Sequence, residues 1–297
     1  MPGKIMDGRI VAQKIRAKIR QRLTALSRSG LKTHLVTVLV GDNPASQAYV
    51  KNKHAACLDV GIASRNIELP RDVTQQTLQE TIRQLSEDRA VTGILLELPL
   101  PKGLDDVSAL SAIDPAKDVD GLHPYNLGLL MQKKAELVPC TPKGVLSLLG
   151  YYGVRIAGTN VVVVNRSKLV GRPLSQLLLN EDATVTVCHS KTEDLQSICS
   201  HADILITGIG RRSEFTVGGA MIRNGATVID VGTSSVDGKL MGDVDFDAAI
   251  KVAKYVSPVP GGAGPMTIAV LLYNTFLAAC LQNDMDLEFD LNELKGN

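Results

Sequence analysis

This chain of 297 residues has no excess of charge of either sign: 32 Lys+Arg stand against 31 Asp+Glu, a formal net charge of +1. No global field therefore draws it to nucleic acid or to an anionic membrane, and partners have to be argued from local sites. Cysteine is scarce. The five thiols at Cys57, Cys140, Cys188, Cys199 and Cys280 are scattered, odd in number and never spaced C-x-x-C. That pattern fits buried thiols in a reducing compartment better than disulfides or zinc. The five histidines include no H-E-x-x-H pair, so no metal is expected. The opening MPGKIMDGRI lacks an apolar signal core, and the turn at Asp7-Gly8 runs straight into a regular helix, unlike a transit peptide. No apolar run reads as long enough to span a membrane, and repeats and low-complexity segments are absent. These absences describe a soluble cytoplasmic protein.

What is present is ordinary globular composition, 44% hydrophobic and 21% charged, on a chain long enough for two domains with real cores. From Asp7, RIVAQKIRAKIRQRLTALSR repeats apolar residues at helical spacing and stops at Gly30, a left-handed C-cap. HLVTVLVG (34–41), the helical PASQAYVKNKHAACLDVG (44–61), IASRNIELP, a helix capped by Thr74 and TGILLELPLP then alternate strand and helix. Around 115–145 the texture turns to Pro-, Gly- and Asp-rich loop. The alternation restarts with strands at 160–165, 183–188, 203–208 and 226–232, a helix from about Pro173, and a last long helix from about Met266 to Leu281. The expectation is an α/β protein of two domains. Residues 1–140, joined by a C-terminal helix over 266–297, form one, and a Rossmann-type unit over 141–265 forms the other.

Two regions carry candidate chemistry. NVVVVNRSKLVGRP is a strand, a loop and a helix start, the place where a Rossmann unit takes a pyrophosphate; with Gly171 its only glycine, it also reads as a plain strand-to-helix turn. The tip of the second strand, where NAD enzymes put an acid against the ribose 2′-OH, has His189, Ser190, Lys191 and Thr192, and Arg166 stands at the first loop. That chemistry points to NADP over NAD. In the first region, YVKNK sets Tyr49 and Lys53 on one helix face, which fits either a site or a solvated lysine beside a half-buried tyrosine. KDVDG offers Asp118 and Asp120, or an Asx turn. SPVPGGAGPMT places three prolines and three glycines ahead of an apolar helix, a stiff loop open to close backbone approach by a ligand.

YVKNK, GILLELPLP, PAKDVDGLHP, PCTPKG, NRSKLVGRP, ATVTVCHSKT, GDVDF and SPVPGGAGPMT, in this order, resemble the bifunctional methylenetetrahydrofolate dehydrogenase/methenyltetrahydrofolate cyclohydrolase family over nearly the whole chain. The resemblance implies NADP-dependent oxidation of 5,10-methylenetetrahydrofolate, hydrolysis of the methenyl product to 10-formyltetrahydrofolate, one cleft between two domains for both steps, and a homodimer built through the second domain. It implies that Lys53 serves the hydrolytic chemistry, that Tyr49 stacks near the folate and that Asp120 holds the pterin. Leu96, Glu97 and Leu98, with Pro260, Gly261, Gly262, Ala263 and Gly264, would line the folate site. Asn165, Arg166, Ser167, Gly171, Ser190 and Thr233 would meet the cofactor.

Two positions depart from the family pattern. Asn165 stands where the family usually has glycine, a residue that can take a left-handed backbone but adds a side chain near the cofactor. Glu97 stands where glutamine usually precedes L-P-L-P; at a strand end facing the cleft, its charge need not be buried. An ionised Glu97 beside Lys53 would hold the ammonium form and slow acid/base cycling, yet favour the positive charge that oxidation builds on the folate. The expectation is that dehydrogenase activity is kept and hydrolysis reduced, up to a mainly monofunctional dehydrogenase. The alternative is a protonated or solvated Glu97 that behaves as glutamine. A non-catalytic folate- or nucleotide-binding protein is the contrasting class, and it has little need of Lys53.

Overall fold

The computed structural model describes residues 2–26, 30–291, 294 and 296. In chain order the elements are β1 (Lys4–Ile5), α1 (Gly8–Leu26), β2 (His34–Val40), α2 (Pro44–Val60), β3 (Ala63–Leu69), α3 (Gln75–Glu87), β4 (Gly93–Leu96), α4 (Asp106–Leu110), α5 (Pro124–Met131) and α6 (Cys140–Tyr151). There follow β5 (Asn160–Val164), α7 (Gly171–Asn180), β6 (Thr184–Cys188), α8 (Leu195–Ser200), β7 (Ile204–Thr207), β8 (Thr227–Asp230), β9 (Ser234–Val236), β10 (Lys239–Met241), α9 (Phe246–Val252), β11 (Tyr255–Val256) and α10 (Ala263–Gln282).

The chain forms two compact units. One is Lys14–Cys140 with Ile268–Phe289, and the other is Met1–Gln13, Thr141–Thr267 and Asp290–Asn297. In the first, β3-β2-β4 make a parallel three-stranded sheet in which Val36 pairs with both Arg65 and Ile94. All of β2 but its first residue is buried, as a β-branched run covered on both faces should be. Thr74 caps α3 by accepting the Thr77 N–H at 3.1 Å. In the second unit six parallel strands run in the order β1-β11-β8-β7-β5-β6, with a separate β9-β10 hairpin. Val162, Val164, Leu205, Val228 and Val256 join one apolar core there, each such side chain contributing on the order of 1.5–3 kcal/mol.

The structure corrects several expectations. Residues 2–13 belong with the six-stranded sheet rather than the first domain, because β1 adds to its edge: the Met6 N–H donates to the Val256 carbonyl and the Gly8 N–H to the Gly261 carbonyl, both at 2.8 Å. The C-terminal helix ends at Gln282, short of 297, and 292, 293, 295 and 297 lie outside the described residues. So do 27–29, through which the first helix was extended; Gly30 does have a positive φ of 79°. The polar stretch 115–145 is not all loop: it contains α5 and the start of α6, since His123 and Pro124 begin a helix whose cap accepts the Tyr125 N–H. Finally, α10 is 20 residues long and apolar enough to cross a membrane by length and composition, contrary to the reading that no run is; 72% of its apolar window is buried inside the protein, as a core helix.

Candidate active site

The centre of the first unit is built around a lysine on a buried stripe. Val50, Lys53, Cys57 and Val60 follow helical spacing on α2, and all four are buried, so Lys53 sits in an otherwise apolar row. It is 6% exposed, which rules out the solvated lysine. Its Nζ donates to Glu97 Oε2 at 2.7 Å and lies 4.2 Å from the centre of the Tyr49 ring. Glu97 is 7% exposed, so its charge is buried after all. The reason is local: the Glu97 N–H still bonds the Val38 carbonyl at 2.9 Å, one residue past β4, which aims the side chain at α2 before the Leu98-Pro99 cis peptide turns the chain away.

The KDVDG loop is held beside β4 by a parallel bridge between Ile94 and Asp118. Gly93 makes the approach possible, since a Cβ there would come within 2.5 Å of Val119. The two aspartates divide the work. Asp118 is 1% exposed and accepts from the N–H groups of Leu122 (3.2 Å) and His123 (2.8 Å) and from Asn126 Nδ2 (2.9 Å), so it is the loop's internal anchor. Asp120 is the other carboxyl of the cluster. Burial pushes it up to about 7; Asp118 and Glu97 push the same way, while Lys53 and the neighbouring Cys140 thiol oppose. Burial also raises the Tyr49 phenol and, with Asp120, the Cys140 thiol. Near neutral pH the cluster thus offers a salt-bridged lysine, a neutral phenol, a neutral thiol and one carboxyl in mid-titration.

Cys140 was foreseen only as a buried thiol. Its place next to Asp120 depends on Asn274 of α10, whose Nδ2 donates to the carbonyls of Val119 and Val138, both at 2.9 Å. A side chain 134 residues away in sequence has no local signature. Of the other folate-site candidates in this unit, Leu96 is buried and Leu98 half-buried.

Pro260–Gly264 belongs to the second unit and follows the Val259-Pro260 cis peptide. Its glycines serve the chain's own packing: Gly261 has φ +112°, and a Cβ on Gly262 would stand 2.7 Å from the Pro258 carbonyl oxygen and 2.9 Å from Ser257 Cβ. Pro260 and Gly264 are exposed while Gly261, Gly262 and Ala263 are buried.

At the carboxyl ends of β5 and β6 the residues fit a phosphorylated dinucleotide. Gly171 opens α7 where a Cβ would lie 2.1 Å from the Asn165 carbonyl oxygen. Beyond β6, the His189 N–H bonds Thr192 Oγ1 at 2.8 Å and the Lys191 N–H bonds His189 Nδ1 at 3.2 Å; this closed turn leaves Ser190 and Lys191 exposed, with no carboxylate among these four residues. Arg166, Ser167 and Thr233 are exposed as well. Asn165 has no left-handed backbone, contrary to the use foreseen for it: the positive-φ non-glycine residues described are Lys133, Asp182, Asp194, Asp237, Asp284 and Glu288.

The tetrahydrofolate dehydrogenase/cyclohydrolase catalytic-domain model matches residues 6–120, and the model of the NAD(P)-binding domain matches residues 139–283. The chain belongs to the tetrahydrofolate dehydrogenase/cyclohydrolase family. The bifunctional protein FolD of Nitrosopumilus maritimus is 48% identical over 285 residues, 96% of this chain and 99% of that one. The crystal structure of the bifunctional enzyme FolD, methylenetetrahydrofolate dehydrogenase/cyclohydrolase, from Campylobacter jejuni has a TM-score of 0.91 at 41% identity, covering 94% of this chain and 99% of that one. The Trypanosoma brucei methylenetetrahydrofolate dehydrogenase-cyclohydrolase, solved with NADP cofactor and an inhibitor, has a TM-score of 0.90 at 40% identity, covering 95% and 99%. In this member of the tetrahydrofolate dehydrogenase/cyclohydrolase family, both departures from the usual pattern, Glu97 and Asn165, are engaged by hydrogen bonds inside the protein.

Proposed function

We propose that the chain is an NADP-dependent methylenetetrahydrofolate dehydrogenase and methenyltetrahydrofolate cyclohydrolase of one-carbon metabolism. The observation that carries this reading is the buried contact of Lys53 with Glu97 beside Tyr49, in a chain of this family. NADP, when bound, supplies the hydride acceptor. Arg166 and Ser167 at the first loop, Ser190 at the second and Thr233 at a third would hold it.

The protein's own groups account for the rest. The Tyr49 ring offers a flat face to the folate, and Asp120 accepts from polar N–H groups of the pterin. Glu97 and Asp120 provide negative potential where oxidation leaves a methenyl cation. For hydrolysis, Lys53 holds a proton at Nζ and moves it between the attacking water and the folate nitrogen that leaves. A homodimer and a cytoplasmic setting complete the reading; five free, buried cysteines are in keeping with a reducing compartment.

A second reading is favoured by the Lys53–Glu97 pair itself: oxidation intact, hydrolysis slowed, because the carboxylate already engages the Nζ that has to move the proton. One assay of the purified protein with methylenetetrahydrofolate and NADP follows NADPH formation and the persistence or decay of the methenyl product. NADPH formation with prompt decay supports the bifunctional enzyme. NADPH formation with lasting methenyl supports the second reading, and no NADPH at saturating substrates would sink both and leave a binding protein.

A further inference from the structure

The strand order β6-β5-β7-β8 means that the chain leaves β5 on one side to reach β6 and comes back on the other to make β7. The carboxyl ends of β5 and β7 therefore flank the crevice where doubly wound sheets take their ligands. The first residue beyond β5 is Asn165, and the first beyond β7 is Gly208. Asn165 Nδ2 donates to the Gly208 carbonyl, straight across that crevice. Its Oδ1 accepts from the N–H of Ser167 at 2.7 Å and from the N–H of Gly171 at 3.1 Å. One carboxamide thus ties together the end of β7, the β5–α7 loop and the first turn of α7.

The surroundings are shaped for this clip. A Cβ on Gly171 would stand 2.5 Å from Asn165 Oδ1, and one on Gly208 3.1 Å from Nδ2. The far side of Gly208 is fastened too: Asp243, fully buried, accepts from Thr207 Oγ1 at 2.9 Å and from the N–H groups of Ile209 at 2.6 Å and Gly210 at 2.9 Å. Those bonds set the peptide whose carbonyl faces Asn165. The clip also consumes donors. N–H groups at a helix N-terminus are what an anion ordinarily meets. Here Ser167 and Gly171 give theirs to Asn165, Val170 gives its own to Ser167 Oγ at 3.1 Å, and Arg172 to the Ser167 carbonyl at 3.0 Å.

We propose that Asn165 is a positioning residue of the cofactor site: a carboxamide clip across the crevice between β5 and β7 that pre-orders the β5–α7 loop, occupies its N–H groups, and shifts recognition of the dinucleotide phosphates onto side chains, Arg166 foremost. The proposal rests on the NADP-dependent reading and deepens it. Order in the loop is then set before the cofactor arrives, and binding does not have to supply it.

The test is calorimetric titration of the full chain with NADP, and separately with tetrahydrofolate, together with steady-state kinetics on Asn165→Gly, Asn165→Ser and Asn165→Asp. Asn165→Gly is expected to raise the Kd for NADP about five-fold or more, the equivalent of losing one or two net hydrogen bonds. KM for NADP should follow, while kcat at saturating NADP and KM for the folate stay within about two-fold. Asn165→Asp keeps the acceptor, loses the donor to Gly208 and sets a negative charge beside the phosphates, so it should weaken NADP more than glycine does. Asn165→Ser should fall between wild type and glycine, and it carries the test if the glycine variant does not fold. An unchanged or tighter Kd for NADP in both Asn165→Gly and Asn165→Ser would overturn the clip. So would a loss shared equally by kcat and folate binding, the mark of general damage. If the wild type itself binds no NADP, the functional reading fails rather than the clip alone.

Discussion

Lys53 and Glu97, 44 residues apart in sequence, meet at 2.7 Å with side chains 7% and 8% exposed. Neither group has water to turn to, so each is the other's partner. A lysine that has to move a proton during hydrolysis does so against the pull of that carboxylate. Replacing Glu97 by Gln keeps the shape and a hydrogen-bond acceptor while removing the charge. Hydrolysis should rise by about ten-fold, a modest part of the 10²–10⁴ a placed acid/base contributes, and NADPH formation should not rise with it. Following methenyl decay in both proteins decides the matter; equal decay rates would mean that the pair does not limit proton transfer.

Lys53→Met removes the cation and leaves Glu97 buried without it. Breaking a buried pair from one side costs about 3–5 kcal/mol, so the variant should melt well below wild type and lose hydrolysis. Adding Glu97→Gln removes the stranded charge, and the double variant should recover most of the lost stability but none of the hydrolysis. Differential scanning calorimetry of the four proteins gives the cycle. A double variant as unstable as Lys53→Met alone would place the cost in packing rather than charge.

Much of this arrangement could be read from the chain. The β-branched runs of β2, β5 and β8 and the capped start of α3 announce themselves because one local pattern agrees with one environment. The candidate residues were legible as motif segments, and the family resemblance already set Glu97 beside Lys53. That the pair is buried was not legible, because nothing near Glu97 in sequence says that its side chain leaves the solvent. Asn274 crosses to Val119 and Val138 over more than a hundred residues. β1 escaped notice because two residues, Lys4 and Ile5, carry no period, and only the edge of a sheet formed far downstream makes them a strand. The glycines of 260–264 read as room for a ligand, yet a Cβ on Gly262 would stand 2.7 Å from the Pro258 carbonyl oxygen and 2.9 Å from Ser257 Cβ, so that glycine first of all serves the turn it sits in.

Asp120 predicts a pH dependence of stability. Burial raises its carboxyl from an ordinary 3.8 to about 7, so the folded protein holds a proton there that the unfolded chain has released. Between those values folding takes up a proton, and stability on this account falls as pH rises through the window. Asp230, pushed up to about 6 by burial, works in the same direction. Urea denaturation at pH 5 and pH 8 should show the wild type weaker at pH 8 by more than Asp120→Asn, which has no proton to lose. The same pH difference in both proteins would mean that Asp120 does not titrate in this range.

Gly121 closes the KDVDG loop, and it separates backbone strain from contact. Its φ is +68°, and a Cβ there would stand 2.3 Å from the Val138 carbonyl carbon and 2.5 Å from the Pro139 nitrogen, backbone atoms that have no rotamer to escape into. Gly61 also has positive φ, +89°, but a Cβ on it meets nothing within 4 Å. Gly61→Ala should therefore cost only the left-handed strain of an L residue, about 1 kcal/mol. Gly121→Ala adds a clash with the strand of chain that Asn274 pins through Val138, so it should cost roughly 3 kcal/mol or more. Because Asp120 precedes Gly121, the alanine should also displace that carboxyl and raise KM for the folate, while the Kd for NADP stays near its wild-type value. Equal denaturation midpoints for the two alanine variants would show that the close approach at Val138 is relieved at no cost, and an unmoved folate KM would separate the loop's geometry from the site.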